Sequence, residues 1–210
     1  MAGIYIHIPY CKQKCIYCDF HFRVSQKDKK EMLKSMHKEI KSRRNYLVNE
    51  KIETIYFGGG TPSILKNYEL KKLLELIYST YDINDNIEIT VECNPDDLTS
   101  KKLLSFKNMG VNRLSIGVQS FNDKELKFMN RSHNALEAVK GIKIAQKIGF
   151  NNITIDLIYG IPHQTINDWE KNIDQALSLN IQHFSAYSLT VEKKTVLSHM
   201  VKNKKIKLLS

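Results

Sequence analysis

Residues 4–20 read IYIHIPYCKQKCIYCDF. Ile4, Ile6 and Ile8 alternate with Tyr5 and His7, the period of a half-buried strand. That strand, Ile4–Ile8, runs directly into Cys11, Cys15 and Cys18, spaced C-x3-C-x2-C. A structural zinc or an ordinary iron–sulfur cluster takes four protein ligands. Three thiolates leave one metal position open, and an open position is where chemistry takes place.

Outward from this stretch, short β-rich runs alternate with helical patterns. Met32, Met36 and Ile40 recur at helical spacing in a lysine-rich segment, and Ile52–Phe57 reads as a second strand. Leu70, Leu73, Leu74 and Ile77 mark an amphipathic helix. Ile87–Glu92 is a third strand, followed by a helix with Thr99 as N-cap and Gly110 just past its end. Leu114, Ile116 and Val118 alternate in a fourth, and Asn134 caps a helix running toward Gly149. Ile153–Ile158 is the fifth strand; Trp169, Ile173 and Leu177 mark one more helix face, and His183–Leu189 is the sixth strand. Strands alternating with helices imply parallel pairing through right-handed crossovers. Six such units suit an open doubly wound sheet or a barrel; eight would close a conventional barrel.

The chain has 210 residues, 42% apolar and 26% charged, as in one globular domain. No apolar run is long enough to span a bilayer, and MAGIYIHIPY lacks the features of a signal peptide. The expected location is the cytoplasm, where thiols stay reduced and a tight cysteine cluster reads as metal-binding. Net charge is +10, with the densest stretch at KNKKIK near the C-terminus. The lysines are scattered over helical segments without an aromatic platform, so they read as solvated faces and no nucleic-acid partner is expected.

In barrels and open parallel sheets alike, chemistry gathers beyond the carboxyl ends of the strands. The first strand is followed by the cysteines, the second by Gly58, Gly59, Gly60, Thr61 and Pro62. The third ends in Glu92, with Asn94 just after it, and the fourth in Gln119; the fifth holds Asp156 and the sixth reaches Tyr187 and Ser188. The glycines permit positive φ and close approach of a ligand; no Gly-Lys-Ser/Thr follows, which excludes a P-loop. Glu92 and Asp156 suit ribose hydroxyls, as acidic residues do in dinucleotide sites, and equally suit solvated strand ends. Arg131 can bind a carboxylate in two-pronged fashion. Cys93 reads as a small buried hydrophobe. His7 and His21 flank the cysteines and would complete a Cys3His zinc site, which makes a zinc-stabilised interaction module the alternative. His133, His163 and His183 carry no assigned role.

C-x3-C-x2-C with an aromatic before the last cysteine resembles the radical S-adenosylmethionine (SAM) superfamily, and GGGTP resembles its SAM-binding loop. YIHIPYCKQKCIYCDF, YFGGGTPS, VECNP, LSIGVQSF, NRSHN, DLIYGIP and FSAYSLTVE extend the likeness from residue 4 to 192. They are most similar to the oxygen-independent coproporphyrinogen oxidases and their heme-chaperone relatives, the HemN and HemW groups. The resemblance implies an α/β fold, a (β/α)6 partial TIM-type barrel over residues 1–192, with 193–210 opening a truncated or missing C-terminal region. It implies a [4Fe–4S] cluster on Cys11, Cys15 and Cys18, with SAM chelating the fourth iron and cleaved to a 5′-deoxyadenosyl radical by one electron from a donor. By positional match, Tyr5, Gly59, Gly60, Thr61, Glu92, Gln119, Arg131 and Asp156 would line the SAM site. The decarboxylating oxidases tend to carry a fourth cysteine where this chain has Phe20, and a long arm before the first strand. Both departures favour the heme-chaperone type, with heme as ligand and a heme-acceptor protein as partner; coproporphyrinogen oxidation is the alternative. No stretch of the sequence by itself marks a heme or porphyrin site.

Overall fold

The computed structural model describes residues 2–47 and 50–207. The last three residues of the expected C-terminal region, 208–210, lie outside them. Six strands alternate with helices: β1 (Ala2–Ile8), α1 (Lys29–Ser42), β2 (Ile52–Gly59), α2 (Asn67–Thr80), β3 (Ile83–Cys93), α3 (Ser100–Asn108) and β4 (Arg113–Gln119). Then come α4 (Asp123–Phe128), α5 (Ala135–Ile148), β5 (Asn152–Tyr159), α6 (Ile166–Ser178), β6 (His183–Ser188) and α7 (Val196–Lys202).

All five strand pairings are parallel, and the sheet order is β1-β2-β3-β4-β5-β6. This order bears out the partial barrel implied by the resemblance and settles what the alternation of elements alone left open. A doubly wound sheet reverses its strand order at a switch point; here the order never reverses. Crossovers of one hand then keep the helices on one face, and the sheet curls into a barrel of six strands that does not close.

The alternation along each strand sorts the two faces. Ile55, Phe57, Ile89, Val91, Leu114, Ile116, Ile153 and Ile155 are all but inaccessible and face the helices in one continuous core. Their neighbours are polar: Tyr5 and His7 on β1, Tyr56 on β2, Glu88, Thr90 and Glu92 on β3, Arg113 and Ser115 on β4, Thr154 and Asp156 on β5. Register aligns them across the sheet, with Tyr5 opposite Tyr56, Tyr56 opposite Thr90, and Glu92 opposite Ser115. A closed eight-stranded barrel fills its interior with branched aliphatics; this one lines it with hydrogen-bonding groups.

The helices end where local chemistry predicts. Thr99 accepts from Lys102 N, and Asn134 forms a capping box with Glu137. Gly149 closes α5 in the left-handed conformation, and Gly110 takes φ +89° after α3. Such caps each contribute about 1 kcal/mol.

The apolar face expected for α6 holds at Trp169, which packs half-buried against the core, and is corrected at Leu177. The buried positions are Asn172 and Ala176, while Leu177 is 60% exposed. Asn172 is drawn inward by a network that local spacing does not reveal. Its Oδ1 accepts from Phe121 N (2.5 Å) and lies 3.1 Å from Ser120 Oγ, and its Nδ2 donates to Glu125 Oε2 (3.3 Å). Ser120 Oγ donates to Glu125 Oε2 at 2.5 Å, Gln164 Nε2 to Glu125 Oε1 at 3.1 Å, and Gly160 N to Gln164 Oε1 at 2.8 Å. The network ties the ends of β4 and β5 to α4 and α6.

Removing one member leaves several buried groups unpaired, at about 1–3 kcal/mol each. Asn172→Ala is therefore expected to lower unfolding free energy by about 2–3 kcal/mol in urea denaturation, whereas Leu177→Ser should stay within about 0.5 kcal/mol. Equal effects would mean that the network adds nothing to stability.

Candidate functional site

The cysteine loop leaves the end of β1 and is closed at its neck by backbone bonds. Cys11 N donates to Arg23 O (3.0 Å), and Arg23 N donates to Pro9 O (3.0 Å). From below, Gly60 N donates to Ile8 O (2.9 Å) and Thr61 N to Tyr10 O (2.8 Å). A Cβ on Gly60 would lie 2.8 Å from Tyr10 N and O and 2.9 Å from Ile8 O, so only glycine permits this approach. Gly59 has φ +111°, and its N donates to Glu92 Oε2 at 3.0 Å.

Other rim loops grip the far side. Gln13 Nε2 donates to Asn130 O and Oδ1 (2.9 and 2.8 Å), and Asn130 Nδ2 donates to Lys14 O (2.7 Å). Lys12 pairs with Asp96 and Asp97 at 2.6 and 2.5 Å. Leu197 N, at the start of α7, donates to Ile16 O (2.8 Å), and Leu197 is fully buried.

The three thiols are partly buried and free. Thr61 Oγ1 donates to Cys11 Sγ (3.4 Å), and Arg131 Nη1 donates to Cys15 Sγ (3.2 Å). Burial pushes the Cys11 thiol up, and pushes Cys18 up to about 11. Metal ligation must expel those protons, which couples it to pH. Among the described residues, no three His, Cys, Asp or Glu side chains converge as the ligands of a single ion would. A cube-shaped cluster makes a different demand, because each thiolate takes its own iron.

Arg131 is held by Asn94 Oδ1 (2.9 Å) and Gly117 O (2.7 Å). Its Nε is buried and has no acceptor among the described residues. Gly117 leaves room for it, since a Cβ there would meet Gln119 Nε2 at 3.0 Å and Arg131 Nη2 at 3.4 Å. Gln119 itself has φ +69°, beside a register shift between β4 and β5. A side chain held in this region costs about 1–3 kcal/mol, and such strain concentrates at functional sites.

On the inner face, Glu92 accepts from Tyr56 Oη (2.9 Å) and Gly59 N (3.0 Å). Burial raises its pKa, while those two donors pull the other way. Asp156 has no hydrogen-bond partner among the described residues, and burial, then the charge of Glu92, pushes it up to about 6. His7 Nε2 lies 2.9 Å from His21 O, which makes it the donor; Nδ1 then accepts from Tyr5 Oη at 3.1 Å. Tyr5 stacks on Tyr56 and is 58% exposed.

The structure thus brings all eleven sequence-predicted residues to one rim and the face beneath it. It also shows what the amides of Gly59, Gly60 and Thr61 do: they bond to Glu92, Ile8 and Tyr10, within the protein. Tyr56, Asp96, Gly117 and Asn130 were missed, while Asn94 is the rim residue expected just after the third strand. Two had a signal: Tyr56 shares the alternation of Thr54 and Gly58 beside Glu92, and a glycine inside a strand marks close approach.

Comparison with known proteins agrees with this geometry. Residues 5–176 match the radical SAM superfamily, and the chain belongs to it. Among curated relatives, it is 39% identical over 210 residues to the heme chaperone HemW of Bacillus subtilis (strain 168), covering 99% of this chain and 55% of that protein. It is 35% identical over 196 residues to HemW of Escherichia coli (strain K12), covering 92% and 52%. The structure of E. coli coproporphyrinogen III oxidase, HemN, superposes with a TM-score of 0.87 at 28% identity, over 99% of this chain and 48% of that one. The archaeal Elp3 of Methanocaldococcus infernus, at 16% identity and a TM-score of 0.71 over 99% of this chain and 50% of that one, shares the fold. The chain spans about half the length of the curated relatives it matches. Among the described residues no helix is long and apolar enough to cross a membrane.

Two outcomes are expected here. Gly60→Ala forces a side chain against the backbone under the cysteine loop and should destabilise by about 1–3 kcal/mol; an unchanged melting curve would refute the close approach. Asp156 holds its proton to about pH 6 in the folded chain, against 3.8 ordinarily. Its ionised form therefore costs stability above that pH, and the cost vanishes below the ordinary value, where both states are protonated. Asp156→Asn should stabilise by about 1–2 kcal/mol near pH 8, after discounting for partial exposure, with the gain fading below about pH 4. A gain independent of pH would point to packing instead.

Proposed function

We propose that Cys11, Cys15 and Cys18 hold a [4Fe–4S] cluster and that SAM binds between the cysteine loop and the polar inner face. One observation carries this: three thiols, two half-buried carboxylates and the unpaired Nε of Arg131 meet at a single rim. The residues fit both groups. Three free thiols on one loop suit a cluster with an open position, and a buried guanidinium N–H without an acceptor suits a carboxylate.

When bound, the reduced cluster supplies one electron to SAM and opens radical chemistry at the site. The chain's part is to bind and orient. Arg131 takes the SAM carboxylate, and Glu92 and Asp156 take ribose hydroxyls. Tyr5, Gly59, Gly60, Thr61 and Gln119 line the site, with the two glycines holding the loop in place. Residues 1–192 form this cofactor domain, and α7, within 193–210, packs onto it. A reducing compartment, the cytoplasm, keeps the thiols available.

The whole-protein role we propose is heme transfer to an acceptor protein, with an electron donor as second partner. Its support is the agreement with relatives named as heme chaperones, and Phe20 at the position where the oxidases tend to carry a cysteine. HemN-type oxidation of coproporphyrinogen is the competing activity.

Anaerobic reconstitution should give about four irons per chain and the electron paramagnetic resonance signal of a reduced cluster. Cys11→Ala, Cys15→Ala and Cys18→Ala should each abolish it, and Cys93→Ala should not. Zinc without iron would defeat the assignment. Glu92→Ala and Asp156→Ala should each weaken SAM binding roughly 10-fold with iron content intact; unchanged binding in both would make them structural strand ends. Anaerobic incubation with SAM, reductant and coproporphyrinogen should yield no protoporphyrinogen, and multiple turnovers would restore the oxidase assignment.

A further inference from the structure

Beside the cysteine loop, on the side of Cys18, lies a cleft of about 670 Å³. That is within the size range of small-molecule sites, roughly 300–1,000 Å³. One wall is the stretch after the cysteines, with Phe20, Phe22 and Val24; the other is Lys193, Lys194 and Thr195, and Lys14 completes it. The proposed SAM residues do not line it.

The cleft is built rather than incidental. Its walls are joined by the Leu197 N to Ile16 O bond (2.8 Å), beneath which Leu197 is fully buried. Thr195 is buried too; its hydroxyl donates to Glu192 O (2.7 Å) and accepts from Ser198 N (3.1 Å). This tight turn sets Lys194 at φ +68° and presents both lysines. On the other wall, the ladder between Pro9, Cys11 and Arg23 fixes where the strand of aromatics leaves the loop.

Its surface chemistry is two-fold. Phe20 is 69% exposed and Val24 45%, an apolar surface turned to water. Lys14, Lys193 and Lys194 have no carboxylate within salt-bridge distance among the described residues. Arg23 is neutralised by Asp28. Among the described residues Asp19 is the one carboxylate lining the cleft, so three lysines without a carboxylate partner face one aspartate, an excess of two positive charges. Flat apolar rings beside uncompensated cations recognise a flat apolar anion: aromatic faces stack on a π-system, and lysines take its carboxylates.

We propose that this cleft binds a planar macrocycle carrying carboxylates, the chemistry of a porphyrin such as heme. The choice of macrocycle rests on the heme-handling role argued above; the cleft, its charge and its aromatics do not. The site gives the chain its own place for the porphyrin, next to the cysteine loop, where no sequence motif marked one. A folded acidic protein would not need the concavity.

The test is a fluorescence titration of the full chain with zinc protoporphyrin and, separately, with its uncharged dimethyl ester. The diacid should bind saturably at one equivalent, and the ester at least roughly 10-fold more weakly, since it forgoes the charge-assisted contacts. Lys193→Glu combined with Lys194→Glu should weaken the diacid by roughly 10-fold or more and leave the ester unchanged. Phe20→Ala should weaken both, and Lys107→Glu, remote from the cleft, neither. Circular dichroism checks that each variant folds. Equal affinity for diacid and ester overturns the proposal, as does a diacid affinity indifferent to the lysine reversals. Failure to saturate overturns it as well. None of these results bears on the porphyrinogen assay, which separates chaperone from oxidase. Porphyrin binding that ignores the cleft variants would leave heme handling intact and move its site elsewhere.

Discussion

Ile8 O accepts from Gly60 N, and Tyr10 O from Thr61 N. Two backbone bonds between neighbouring strand ends are an ordinary contact, but here they determine where the cysteine loop sits. The segment they hold is the root of the cysteine loop, and Tyr10, fully buried, anchors it through its hydroxyl to Asp28 at 3.1 Å. The approach is so close that any side chain at Gly60 would collide with backbone, which cannot swing aside as a flexible side chain can. Everything above that plane inherits its position from it: Thr61 Oγ1 reaches Cys11 because Thr61 N is already bound. The loops after β3 and α4 then clamp the far side through Asp96, Asp97 and Asn130.

The second constraint is the open barrel. With six strands the sheet curls without closing, so its inner face is spared the need for close aliphatic packing. Carboxylates, tyrosines and an arginine occupy it at a cost. Burial pushes Glu92 and Asp156 toward their protonated forms, and Glu92 recovers part of this through Tyr56 and Gly59. Asp156 recovers none from a hydrogen bond within the described residues. Arg131 keeps one buried N–H without an acceptor, and Gln119 sits in a strained backbone conformation. Unmet polar demand and backbone strain of this kind concentrate at functional sites. The stability comes from the opposite face, where the aliphatic halves of the same strands are sealed under the helices.

Much of this was legible in the amino-acid sequence. All six strands, the caps at Thr99 and Asn134, the left-handed Gly149 and the rim residues follow from patterns within a few positions of one another. Alternation at two residues and capping at three are short-range physics, and short-range physics survives into the fold. The face of α6 was read correctly at Trp169 and misread at Leu177, for the complementary reason. Trp169, Ile173 and Leu177 form a good apolar stripe, yet the helix buries Asn172, because Ser120 and Glu125, some fifty residues earlier in the chain, present buried partners there. No local rule anticipates a polar residue satisfied from that distance.

The sequence by itself therefore determined the class of fold, the order of its elements, the three thiols and the superfamily. Tertiary structure decided the rest. Periodicity alone left strand order undecided, because it depends on which edges pair and pairing is a non-local choice; only the resemblance pointed to an open barrel, which the pairing bears out. The assignment of the glycine amides to Glu92, Ile8 and Tyr10 depends on how closely two loops approach. The cleft of Phe20, Lys14 and Lys194 exists only because residues about 180 positions apart are joined by the bond from Leu197 to Ile16. Periodicity records which side of an element is apolar; it does not record what will lie against that side, because that is set by the free energy of the whole assembly.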